Sequence, residues 1–409
     1  MKTIYKKITK RLGKIVSRVV PHNTYLRPHS VYALDPDKLY PSDREVRVHS
    51  IYPNHVTTLG ITEELFNACS AYWQPKREVM TDYVVTEVPG GRIHTDNESS
   101  IAIISRFNRL VDNVSLSLTD GKVTDAGFNS IFEQRFFSEP VQVTGTVFSM
   151  LTGGAGINNI CHWFLDVLPR LHLLQQSGLY DTVDWFLVPS LQYSYQTETL
   201  NLLGIPKEKL IAGDKYPHIT ADNIIASTAP RGSHTLVPEW VCEYIRESFL
   251  PFALADTDQE EELPQHLYIS RSDSKIRKVA NEAKLEAELK RYDFKTIVSS
   301  RLSVLEKIRL FSAADTVVSA TGAGLVSLFF CKPGTKVIEL FHEGFVIEPF
   351  YDIATKIGLD YSYVICKGNR KIYNATDGQR EDLTVDLACI KEVLRDLEKD
   401  LSQQQVAQV

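Results

Sequence analysis

His162 and Asp166 stand four residues apart in an apolar stretch opened by Gly153, Gly154 and Gly156. The stretch 157–176 has helical spacing, so both side chains share one face. A carboxylate beside an imidazole fixes its tautomer and raises its basicity. Such a pair can take the proton of an attacking hydroxyl. The competing reading is structural: His162 satisfied in the core, and Asp166 paired with Arg170 one turn later.

A second set of residues suits an anion. The apolar run 316–319 enters a small-residue turn at Gly322 and Gly324 and then a short apolar helix. Glycines let the backbone approach an anion closely, and the first N–H groups of a helix point at it. In α/β sheets this happens at the carboxyl ends of strands. The spacing is neither GxGxxG nor GxxxxGK[ST], which disfavours a dehydrogenase and a P-loop kinase. The bland alternative is a tight turn and nothing more. Arg271 and Arg277 follow another apolar run, 266–270, where paired guanidinium donors can reach phosphate oxygens. Otherwise they belong to a solvated loop. Glu339 ends the strand after Pro333-Gly334, where a carboxylate can accept hydrogen bonds from ribose hydroxyls or simply close a strand.

These residues need elements to hold them. Residues 45–150 read as short strands and turns, and from 157 strands and helices alternate, with strands at 185–188 and 223–227 and helices at 197–203 and 239–250. After the acidic segment 256–262 the alternation resumes: strands at 266–270, 295–298, 316–319 and 336–340, with 364–366 last, and a helix at about 281–291. A further helix starts at Ser303, where Ser303 and Glu306 form a capping box. Alternation predicts parallel βαβ units and an α/β class. The expected organisation is a basic helix over 1–20, a first lobe over 21–255, a second lobe over 263–380, and a C-terminal helix and tail over 381–409. Leu387, Ile390, Val393, Leu394, Leu397 and Leu401 form that last helix's apolar stripe.

With 409 residues, 43% of them hydrophobic and 23% charged, the chain is globular and long enough for two cores. A net charge of -6 gives no reason to expect nucleic acid. The six cysteines include no CxxC pair, so neither a zinc site nor a redox dithiol is expected, and a reducing compartment, the cytoplasm, suits them. Residues 1–20 carry seven basic residues and no acid, with Ile4, Ile8, Leu12, Ile15 and Val19 at helical spacing. Such a helix can lie in an anionic membrane interface; docking on the acidic remainder of the protein is the alternative.

Taken in order, five segments resemble glycosyltransferase family 61. They are 162–171, Ile269-Ser270-Arg271 with Arg277 and Asn281-Glu282, Leu302–Glu306, Gly322-Ala323-Gly324-Leu325, and Pro333–Leu340, and together they span roughly residues 140–345. The resemblance implies a GT-B fold: two Rossmann-like lobes facing a cleft, here with a β-rich N-terminal extension. It implies inverting, metal-independent transfer from a nucleotide sugar to a saccharide, with no cofactor; the basic segment 1–20 suggests that the acceptor is a lipid-linked or membrane-proximal glycan, as in surface polysaccharide synthesis. The second lobe would hold the donor through positions matching Arg271, Arg277, Asn281, Glu306, Thr321, Gly322, Ala323, Gly324, Leu325 and Glu339. His162 and Asp166 would be catalytic, with the base left open between them. Two positions depart from the family pattern: Thr321 stands where many relatives carry histidine or another polar residue, and Lys307 where glutamine is usual. They keep open a non-catalytic scaffold that binds saccharide or nucleotide. A pyruvyl transferase or an epimerase on the same frame is a further alternative.

Overall fold

The computed structural model describes residues 23–34, 45–119, 122–253, 263–368, 370–373 and 375–395. The expected basic helix over 1–20, the linker 256–262 and the tail lie outside these residues. Two β-sheets form the frame. The first is mixed and twelve-stranded. Its middle is parallel: Val141–Ser149 pairs with both Trp185–Val188 and His218–Ser227, and Trp185–Val188 pairs with Leu210–Ala212. Around this lie antiparallel hairpins, including Arg47–Thr58 on Glu78–Pro89 and Arg92–Thr95 on Ser100–Ile104. The first sheet is therefore parallel only where helices intervene, because short turns can join only antiparallel neighbours.

The second sheet has six strands in the order Lys295–Ile297, His266–Ile269, Thr316–Ala320, Lys336–His342, Asp360–Gly368, Leu383–Thr384. Every pairing is parallel except the last, so the strand expected at 364–366 is followed by one more, short and antiparallel. The three central strands, His266–Ile269, Thr316–Ala320 and Lys336–His342, are nearly continuously buried, as expected where both faces are covered. Val318, Ala320, Ile338 and Leu340 point to one face, with Ile390 and Leu394 of the C-terminal helix. Val317 and Val337 point to the other, toward the first sheet.

The facing layers share one core. Pro169–Gln176 and Glu239–Phe249 pack with Val304–Ala313 and Ala323–Phe330 of the second sheet. Phe164, Phe249 and Phe330 meet edge to face at 5.5–6.3 Å, and each buried ring of this kind stabilises by about 1.5–3 kcal/mol. Polar contacts fix the register. Arg246 donates to the Phe329 and Cys331 carbonyls, both at 2.7 Å, and Val304 N–H donates to Glu198 at 2.6 Å. The arm between Arg47–Thr58 and Glu78–Pro89 also crosses over, packing Leu59, Ile61, Leu65 and Cys69 on Phe341, Val346 and Tyr351. No helix among the described residues is long and apolar enough to cross a membrane.

Candidate active site

The helical stretch expected at 157–176 forms in pieces. Asn159 caps Ile160–His162 by accepting from Cys161 N–H at 2.9 Å. Trp163–Val167 is a π-helical turn, with Leu168 N–H donating to the Trp163 carbonyl at 3.0 Å. Pro169, which has no N–H, starts Pro169–Gln176 and releases the ladder at that point. His162 and Asp166 do share a face, and His162 Nδ1 lies 2.7 Å from Asp166 Oδ2. An ionised carboxylate only accepts, so Nδ1 carries the proton and Nε2 of the neutral ring is left with its lone pair. The His162 side chain is 36% exposed, which leaves Nε2 accessible.

Asp166 is held by an arginine the sequence reading did not single out. Arg231 Nε and Nη2 donate to the two carboxylate oxygens, each at 2.7 Å. Burial alone would raise the Asp166 carboxyl; Arg231 and His162 overcome it and hold the group well below the usual carboxylate range. The same pair lifts Arg231 above an ordinary guanidinium, against burial. Arg170 does not pair with this carboxylate. It donates to the Asp166 carbonyl at 3.1 Å and to the Ser227 carbonyl at 2.7 Å, which ties the helix to the strand His218–Ser227. A signal for Arg231 was present: it follows the carboxyl end of an apolar strand, as Arg271 does.

On the other side, Arg271 and Arg277 are both turned inward. Arg271 Nε donates to the Arg277 carbonyl at 2.9 Å, and Nη2 to Ser274 Oγ and the Ile276 carbonyl at 2.9 and 3.0 Å. Its remaining nitrogen lies against Gly322, where any Cβ would overlap the guanidinium. The glycine is there for close approach, since its backbone is extended. Arg277 takes a left-handed backbone (φ 54°), donates to the Thr321 and Gln379 carbonyls at 3.0 and 2.6 Å, and stacks over Phe345 at 5.1 Å. A non-glycine residue in that region is strained, and such strain gathers at functional sites. Burial lowers both arginines, Arg277 to about 10 with Arg271 adding to the effect. Ala323–Phe330 is a 3-10 helix, with Ala323 and Gly324 half-buried and Leu325 in the core.

The two sides meet. Ile160–His162 packs on Ala323–Phe330, so the turn bearing His162 abuts the glycine turn. Between them lies Glu339, fully buried on the inward face of its strand. Tyr361 donates to its Oε2 at 2.6 Å, while Oε1 has no hydrogen-bond partner among the described residues. Thr321 lies close enough to lower its pKa, but its hydroxyl donates to the Leu340 carbonyl at 3.3 Å. Burial nevertheless pushes the Glu339 carboxyl up to about 7, against Tyr361, Thr321 and Arg277. Cys161 feels the charges of Arg231, Asp166 and Glu339 together, while burial pushes its thiol up to about 12, which makes it inert.

Residues 160–338 match the family described as Glycosyltransferase 61. The match supports glycosyltransferase family 61 for this segment of the chain. No curated protein matches it. The match suggests glycosyl transfer as the general activity, with a sugar donor and an acceptor as partners in general. The family 61 segment contains His162, Asp166, Arg231, both inward-facing arginines and the glycine turn; Glu339 lies one residue beyond it. Two matched residues are engaged elsewhere. Asn281 exchanges two hydrogen bonds with the backbone of Val385, at 2.8 and 3.0 Å. Glu306 completes the capping box of Val304–Ala313, accepting from Ser303 N–H at 2.6 Å. Lys307, the departure beside it, is buried and donates to the Leu302 carbonyl at 2.6 Å.

Proposed function

We propose that this family 61 protein transfers a sugar from a nucleotide-diphosphate donor to a hydroxyl of a saccharide or lipid-linked glycan, with inversion and without a metal. The reading uses the GT-B arrangement, with residues 21–255 as the acceptor side and 263–380 as the donor side. One observation carries it: the turn bearing His162 packs against the Gly322 turn that two inward-facing arginines cover. A diphosphate on that turn meets Arg271, Arg277 and the first N–H groups of Ala323–Phe330. Glu339, with an unpaired oxygen below the turn, accepts from the ribose.

The acceptor hydroxyl attacks the anomeric carbon from the side of His162. Its proton passes to Nε2, and the electron pair of the breaking C–O bond goes to the diphosphate. Preorganised positive groups at the departing oxygen are usually the largest catalytic contribution, about 3 kcal/mol for one donor. Asp166 is a poor base, because Arg231 holds it as a carboxylate; it orients His162 instead. The basic composition of segment 1–20 supports a peripheral position on the cytoplasmic face of a membrane, near a surface-polysaccharide precursor. Replacing Arg271 by Ala abolishes sugar transfer from a panel of nucleotide sugars while circular dichroism stays native. A fully active Arg271→Ala protein refutes the assignment, and nucleoside-diphosphate binding without any turnover points to the scaffold reading.

A further inference from the structure

Three ionisable groups buried away from the substrate are not used by this chemistry. Glu348 is 2% exposed, Asp352 is 0% exposed, and the Lys356 side chain is 8% exposed. The last two lie on Pro349–Lys356, a helix of the second sheet, and Glu348 directly precedes it. All three bond to the loop that follows Arg231 in the first. Arg231 Nη1 donates to the Thr235 carbonyl at 3.3 Å, and Thr235 Oγ1 donates to Glu348 Oε1 at 2.5 Å. Val237 N–H donates to Asp352 Oδ2 at 2.7 Å. Lys356 donates to the Val237 carbonyl at 2.5 Å and pairs with Asp352 at 2.8 Å. Burying charges to join two surfaces that already share an apolar core is a poor route to stability, because desolvation offsets the attraction. Their placement makes sense if the position of the loop matters.

We propose that Glu348 is a positioning residue for the catalytic histidine, acting through Thr235, Arg231 and Asp166. The inference rests on His162 as the proton acceptor. The relay is continuous: Glu348 fixes the Thr235 hydroxyl, the Thr235 carbonyl fixes Arg231 Nη1, Arg231 clamps both oxygens of Asp166, and Asp166 holds His162 Nδ1–H. The second sheet thus sets the orientation of a base carried by the first. The groups facing this relay are His162, Asp166, Cys161 and Arg170 from the helical stretch, and Glu339, Glu348 and Asp352 from the second sheet. If Arg231 drifts away, Asp166 keeps its charge beside His162 with nothing to balance it, and the imidazole holds its proton more firmly.

The test compares Thr235→Val and Glu348→Ala with Arg231→Ala in the full chain. Two readouts are used: the acid limb of kcat/KM against pH, and the ring nitrogen signals of His162 in 15N-histidine NMR, assigned with His162→Gln. Both relay variants should move the acid limb to higher pH, by on the order of half a unit, and move the Nδ1 signal in the direction seen for Arg231→Ala. Uridine or guanosine diphosphate, whichever the wild type binds, should keep its affinity. A Glu348→Ala protein that is less heat-stable yet has a wild-type acid limb and ring signal overturns the proposal, leaving Glu348 as a mere joint between units. If Glu348→Ala fails to fold, the near-isosteric Thr235→Val decides alone by the same two readouts. If the wild type transfers no sugar, the glycosyl-transfer reading fails, and the ring signal still decides the relay.

Discussion

The buried arginines on the two sides of the site are paired in opposite ways. Arg231 has a full counter-charge, since both oxygens of Asp166 accept from it. The guanidinium hydrogen bonds of Arg271 and Arg277 go to carbonyl and hydroxyl oxygens, which orient a cation without neutralising it. A half-buried guanidinium whose hydrogen bonds all go to neutral oxygens keeps a charge that an approaching anion can pair with. The difference fits the proposed roles: a cation paired with a carboxylate can orient a base, and one bonded only to neutral oxygens can still bind an anion.

The sharpest way to break this comparison is on the base side. His162→Ala should lower kcat by 10²–10⁴-fold, roughly the value of a positioned general base, while leaving the Kd of a nucleoside diphosphate unchanged in calorimetry. Equal losses in kcat and in diphosphate affinity would mean that the two sides are not separable. Next comes the anion side. Gly322→Ala forces a methyl group into the Arg271 guanidinium; overpacking of this kind costs about 1–3 kcal/mol, so diphosphate affinity should fall about tenfold to a hundredfold.

Glu339 lies between the two and gives a smaller effect that depends on pH. Its folded pKa, about 7, lies above its ordinary value, so the native state binds more protons than the unfolded chain between about 4.5 and 7. Its contribution is complete at low pH and is lost as pH rises through 7. Glu339→Gln should therefore gain up to about 3 kcal/mol over wild type at pH 8 and little at pH 4.5, read by urea unfolding at both pH values. Glu348 and Asp352 are also raised by burial, so only the difference between the two proteins is diagnostic. Smallest is the cap: Glu306→Ala should cost about 1 kcal/mol of stability, seen as a lower urea midpoint with an unchanged slope.

The second sheet was legible in the sequence because its strands are buried on both faces and alternate with helices, which produces compact apolar runs separated by amphipathic ones. The first sheet was harder to read. Some of its strands pair residues far apart along the chain, as when Ser227 meets Val85, and no local periodicity announces that. The same reasoning divides the site. His162 and Asp166 were visible because four residues of helix bring them together. Arg231 follows an apolar strand, but its partner was hidden, because it reaches Asp166 across 65 residues through a loop. Glu306 and Asn281 show the reverse problem: they stand in ordered motifs, yet their polar atoms are engaged by a helix cap and by Val385.

The interlocked rings of Phe164, Phe249 and Phe330 bear on how such enzymes can diversify. A chimera that takes its donor half from a relative, in the hope of a new sugar, inherits a mismatched set of aromatic contacts where the halves join. New specificity is reached more readily by point changes along the rim of the glycine turn than by exchanging whole halves.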